Sequence, residues 1–185
     1  MIKEVLLFLK NPVYFPYQEL STKEKLHIFT KLLVLNIAFS FCLGLLMGVI
    51  TTLTNADLGE HGVDELFKKY SFFIVFLLAV ILAPIVEELL FRGPLVFFKH
   101  SRFFKYIFYL STLLFGAVHL SNFESFTGFL WLAPVLVAPQ VFAGFFLGFT
   151  RVKLGLGWSI LLHASHNGIL LAPLLLAKLI GVTIH

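Results

Sequence analysis

Residues 32–53 run without a single charged side chain, longer than the roughly 20 apolar residues needed to cross the hydrocarbon core of a bilayer. Ser21 and Glu24 stand ahead of this run at capping-box spacing, which predicts a helix that starts there and continues into the membrane. Four further apolar runs follow, at 71–98, 104–120, 128–150 and 156–180. Hydrophobic residues make up 59% of the chain and charged residues only 13%, about half the usual charged fraction of a soluble domain, so lipid is the main solvent. The expected fold is all-α, a polytopic transmembrane helix bundle with about five spans. It forms a single membrane-embedded domain over residues 1–185. Residues 1–17 are expected to lie on the membrane surface as an N-terminal interfacial helix and turn. The apolar stretch 5–9 is too short for the core of a signal peptide.

The loops alternate in charge. Lys3, Lys10, Lys23, Lys25 and Lys31 precede the first run, Lys99, Arg102 and Lys105 separate the second and third, and Arg151 and Lys153 separate the fourth and fifth. The intervening loops carry Asp57, Glu60, Asp64 and Glu65 against Lys68 and Lys69 in one, and Glu124 in the other. Positive loops stay on the cytoplasmic side, which predicts an integral membrane protein with its N-terminus cytoplasmic; the expected location is a prokaryotic cell membrane. The net charge of +4 lies in these short clusters, where topology and lipid headgroups account for it, so no nucleic acid partner is expected. A single cysteine, Cys42, can form neither an intrachain disulfide nor a Cys-rich metal cluster. Pro134 and Pro139 predict a kink in the fourth span, and Gly144 and Gly148 predict close packing against a neighbour.

Against this background seven polar residues stand out: Glu87, Glu88 and Arg92 in the second run, His119 in the third, and His163, His166 and Asn167 in the fifth. A charge near the bilayer centre costs about 2.5–3.5 kcal/mol on insertion scales, so an ionisable group there signals function. Counting inward from Lys99, Lys105 and Lys153 at about 1.5 Å per residue puts Glu87 at about 18 Å, His119 at about 21 Å, and His163 and Asn167 at about 15 and 21 Å. All four reach a similar depth. A second helix ending at Arg92, as Gly93 and Pro94 would permit, leaves Glu87 near the cytoplasmic rim and scatters the cluster.

Periodicity divides the carboxylates. Glu88 and Arg92 are i and i+4 on one face and are expected to pair, whereas Glu87 points about 100° away and is left to face the bundle interior. His163 and Asn167 are again i and i+4, and present two donors on one face. His166 is offset and reads as a support or as packing. A carboxylate with two imidazoles, Glu87, His119 and His163, also has the ligand types of a zinc site with an open water position.

These residues resemble a known family. Glu87-Glu88-Leu89-Leu90-Phe91-Arg92 is similar to its EExxxR motif, Phe115-Gly116-Ala117-Val118-His119 to FxxxH, and His163-Ala164-Ser165-His166-Asn167 to HxxxN. The family is that of the CPBP intramembrane proteases, which include the type II CAAX prenyl endopeptidases and relatives linked to bacteriocin processing or immunity. The three motifs occur in order over a protease-like core at 71–180. The resemblance implies an intramembrane endopeptidase in which Glu87 activates water, His119 helps to hold that water, and His163 and Asn167 form the oxyanion hole. It implies a supporting role for Glu88 and Arg92, with Phe115 as a wall of the pocket. It implies a glutamate-type mechanism without an obligatory metal, so no cofactor is expected. HExxH is absent, and zinc on Glu87, His119 and His163 is the lesser alternative. Expected partners are membrane lipid and a peptide or protein substrate, which the resemblance allows to be prenylated. A non-catalytic membrane immunity or binding protein, or a small proton-coupled transporter using Glu87 and His119 as a relay, is the competing class.

Overall fold

A computed structural model describes residues 1–59 and 61–180; Glu60 and residues 181–185 lie outside the described residues. The chain is helical almost throughout. A short surface helix α1 (Ile2–Lys10) leads through an extended segment to the long α2 (Thr22–Leu53). Ser21 accepts from the Glu24 backbone N–H while the Glu24 side chain accepts from the Ser21 N–H at 2.8 Å, the reciprocal cap expected from the spacing. After α3 (Gly62–Lys69), the second span is α4 (Phe72–Phe76), a π-helical turn Leu77–Leu82, α5 (Ala83–Phe91) and a 3-10 helix Gly93–Phe98. Then come α6 (Phe104–Val118) with a 3-10 turn His119–Asn122, a 3-10 segment Phe126–Leu132 running into α7 (Ala133–Leu136), α8 (Ala138–Lys153) and α9 (Leu156–Leu179).

Among the described residues four helices are long and apolar enough to cross a membrane: Thr22–Leu53, Phe72–Phe98, Phe104–Asn122 and Leu156–Ala177. The pair Phe126–Leu136 and Ala138–Lys153, bent by 43°, makes a fifth if it counts as one broken span. The bend falls where Pro134 and Pro139 sit in successive first turns, positions at which a missing N–H costs nothing.

The bundle is apolar outside and partly polar inside. Leu45, Phe73, Leu90, Leu113 and Leu176 are exposed, whereas Asn36, Glu88, Arg92, Thr150 and Ser159 are wholly buried. That distribution suits a lipid solvent, in which outward leucines cost nothing and polar groups are stable only against one another. α8 is the central post and packs on α2, α6 and α9. Its glycines make that possible: a Cβ on Gly148 would lie 2.6 Å from Phe108, and one on Gly144 would lie 2.9 Å from Thr112 and 3.1 Å from the Arg92 guanidinium. The close packing expected of this pair of glycines is there, and Gly144 leaves room for the Arg92 head group.

The loops segregate as the charge alternation predicts. At one end α1 buries Val5 and Phe8, the latter edge-on to Phe108 and Phe149 at 5.2 and 5.3 Å, while Ile2, Leu6 and Leu7 stay exposed, as an interfacial helix requires. At that same end the Tyr17 N–H donates to the Lys153 carbonyl at 3.1 Å, and Lys153 Nζ donates to the Phe15 carbonyl at 2.9 Å. At the other end His61 pairs with Phe123, and the Ser125 N–H donates to the Leu58 carbonyl at 2.9 Å.

Candidate active site

The site is built around an irregularity of the second span. In the π-helical turn each N–H reaches back five residues, as Ala83 N–H does to Leu78. The next donor in that register would be Pro84, which has no N–H, so the carbonyl five residues before it, that of Ala79, loses its partner. Asn167 of α9 replaces it, with Nδ2 donating to the Ala79 carbonyl at 2.9 Å. An unpaired carbonyl in the bilayer would be costly. One turn of α9 is thereby fixed against the segment that carries both glutamates.

Glu88 lies at the bottom of this arrangement, with none of its surface exposed. Arg92 NH1 stands 3.2 Å from Glu88 Oε1 as an ion pair, off the line of a formal hydrogen bond. Ser159 Oγ donates to Glu88 Oε2, and His163 Nδ1 lies 3.2 Å from Oε1. The guanidinium of Arg92 is stacked 3.8 Å from the Phe115 ring centre, and its NH2 reaches the Gly144 carbonyl at 3.5 Å. A buried pair is stable only when its remaining lone pairs and protons find partners; here Ser159 and His163 supply them for Glu88, and the Gly144 carbonyl and the Phe115 ring cover part of Arg92.

Glu87 points elsewhere. Its Oε2 lies 3.9 Å from His119 Nε2 and 3.8 Å from His163 Nε2, at the wall of a cavity of about 880 Å³. His119, His163, His166, Asn167 and Phe115 also line this cavity. The ring tautomers follow from the partners. His119 Nδ1 is 2.7 Å from the Phe115 carbonyl, which only accepts, so Nδ1 carries a proton and Nε2 is the nitrogen turned toward Glu87. His163 Nδ1 faces the Glu88 carboxylate, already receiving a hydroxyl from Ser159, so it too carries a proton and turns Nε2 toward Glu87. Phe115 lies between the rings, 4.8 Å from His119 and 5.5 Å from His163.

All eight residues singled out in the sequence therefore meet in one place, although α5 does end at Phe91. The scattering that such an end would bring does not occur, because the chain continues past Arg92 as a 3-10 helix and Phe72–Phe98 remains one span. His166 lines the cavity with its Nδ1 buried and without a partner. Glu87 to imidazole separations of 3.8 and 3.9 Å exceed the edge of about 3.3 Å between ligands of a tetrahedral zinc. Among the described residues no three His, Cys, Asp or Glu side chains are placed to hold a metal ion.

Sequence reasoning missed Ser159, Gln140 and Arg151. Ser159 is one turn before His163 on the same face of α9, so the i, i+4 rule would have found it. Gln140, which lines the cavity, sits in a proline-rich stretch where periodicity is lost. Arg151 reads as a loop charge, but it is buried, donating from Nε to the Arg92 carbonyl at 3.0 Å and from NH1 to the Tyr14 hydroxyl at 3.1 Å.

Fold and site together define a polytopic membrane protein with an acid–base cluster facing an internal cavity, the class that includes the intramembrane hydrolases. Residues 69–169 match the family described as Type II CAAX prenyl endopeptidase Rce1-like; the match takes in more than half of the chain and all three motifs, and the chain belongs to that family. It is an integral membrane protein of a protease family. No curated protein and no solved structure matches it.

Proposed function

We propose that this protein cleaves peptide bonds inside the membrane by a glutamate-activated water, on a substrate carrying a prenyl chain near its C-terminus. The observation that carries the reading is the Glu87 carboxylate facing two imidazole Nε2 atoms at 3.8 and 3.9 Å on the wall of the cavity. A water donating one O–H to Glu87 Oε2 and the other to His119 Nε2 has its oxygen lone pair free to attack a carbonyl. As the C–O bond forms, the proton passes to Glu87, which can return it to the departing amine.

The oxyanion needs donors fixed in a site of low dielectric. Asn167 uses one Nδ2 hydrogen on Ala79 and retains a second. His163, held by Glu88 through Nδ1, donates from Nε2 when its ring carries both protons. Glu88 and Arg92 hold that ring in place and do not touch substrate. The cavity walls contributed by Phe41, Leu45, Leu78, Leu82 and Leu170 suit a lipid chain bound beside the peptide. The lysine-rich end would lie in the cytoplasm of a prokaryotic cell, with the N-terminus on that side.

The reading needs no metal. Purified protein freed of divalent ions by a strong chelator should cleave a farnesylated CAAX peptide at the parental rate. Loss of cleavage that zinc restores would replace the glutamate mechanism with a zinc site on Glu87, His119 and His163.

A further inference from the structure

We infer that Arg151 is a positioning residue for the Glu88–His163 pair, tied through Tyr14 to the N-terminal segment. The inference rests on the role proposed above for His163. It starts from a side chain that is in the wrong place for a topology signal. A cytoplasmic arginine of that kind has no need to leave water, yet Arg151 is only 8% exposed and its guanidinium bonds to one carbonyl and one phenol.

The carbonyl it chooses is that of Arg92, at the C-cap of α5. There the helix tightens to 3-10 geometry, and among the described residues the backbone offers this oxygen only Leu95 N–H at 3.3 Å. Arg151 Nε at 3.0 Å supplies the closer donor. Holding the Arg92 backbone holds the root of the side chain that stands 3.2 Å from Glu88 Oε1 and stacks on Phe115. The same Glu88 oxygen receives His163 Nδ1 at 3.2 Å, and the far nitrogen of that ring is 3.8 Å from Glu87. Tyr14, Arg151, Arg92, Glu88, His163 and Glu87 thus form one unbroken series of contacts from the membrane surface to the cavity.

The surface end is anchored independently. Lys153 Nζ donates to the Phe15 carbonyl at 2.9 Å, the Tyr17 N–H donates to the Lys153 carbonyl at 3.1 Å, and Tyr14 packs edge-on to Phe104 at 5.6 Å. Segment 14–17 is therefore a strap across the end of α8. Arg151 joins it to the site.

Two conservative variants of the full-length protein in detergent test this. Tyr14→Phe removes only a hydroxyl, and Arg151→Lys keeps the charge but loses the Nε donor and the fork. With a quenched fluorogenic peptide ending in a farnesylated CAAX sequence, kcat per folded molecule should fall about 3-fold for Tyr14→Phe and about 10-fold or more for Arg151→Lys, at unchanged KM, since small misplacements near a reacting centre cost rate. A purely structural role would lower the folded yield and leave kcat alone, which overturns the inference. A second readout needs no substrate: in ¹⁵N-histidine-labelled protein, the His163 ring signals, assigned by their loss in His163→Gln, should shift in Arg151→Lys. Parental ring signals in that variant would overturn the inference even if activity fell. Glu87→Gln run alongside separates the two claims: full cleavage by it refutes the proposed function, while the His163 signals still decide the role of Arg151.

Discussion

Asn167 and Ala79 meet across 2.9 Å, side-chain amide to backbone carbonyl, and the contact joins the last motif of the chain to the irregular turn before the first. Pro84 creates the need and Asn167 answers it. A residue that resemblance assigns to the oxyanion therefore already has a structural duty, which takes one of its two amide hydrogens.

Asn167→Ala should lower stability by about 1–3 kcal/mol, the cost of leaving a buried carbonyl without its donor. Adding Pro84→Ala to it should restore part of that loss, because the new N–H lies in register to reach Ala79, and the two changes should be strongly non-additive. Thermal unfolding of the single and double variants in detergent measures this. An Asn167→Ala protein as stable as the parent would contradict it.

Glu88→Gln leaves Arg92 buried without its counter-charge and should cost about 3–5 kcal/mol. Replacing Glu88 and Arg92 together by leucine and methionine removes the orphaned charge, but it strands the His163 Nδ1 proton, so only part of the stability returns; the Ser159 hydroxyl keeps the Leu147 carbonyl at 2.9 Å. The readout is thermal stability across the series. A double variant no better than Glu88→Gln would show that the ion pair is not what the surrounding groups serve.

A reporter fused after Lys153 should be cytoplasmic and one fused after Asp57 external, since the two positions lie at opposite ends of the bundle and the proposed orientation puts the lysine-rich end in the cytoplasm. Both reporters on one side would remove the five-span arrangement.

Much of this was legible because apolar runs and i, i+4 pairs are strong periodic signals. The Ser21–Glu24 cap, the five runs, the Glu88–Arg92 pair and the separate heading of Glu87 all follow from spacing. The π-helical turn was not legible, for a one-residue slip of hydrogen-bond register leaves the hydrophobic pattern unbroken while it turns the face of the helix. At Gly93 and Pro94 the span continues, but as a 3-10 helix, a form that the choice between helix and break did not include. Arg151 was hidden by its neighbours. Next to Lys153 it looks like part of a charged loop, although it lies three and seven residues beyond Gly148 and Gly144, on the closely packed face of α8.

Cleavage by Glu87→Gln, measured per folded molecule on the farnesylated peptide, bears most directly on the proposed mechanism. The amide keeps the size of the side chain and its place beside His119 and His163, but it cannot take a proton from water. The account predicts a fall of about 10²-fold or more, with thermal stability close to that of the parent. Undiminished cleavage by this variant would contradict it, as would a Glu88→Gln protein that is fully stable and wholly inactive.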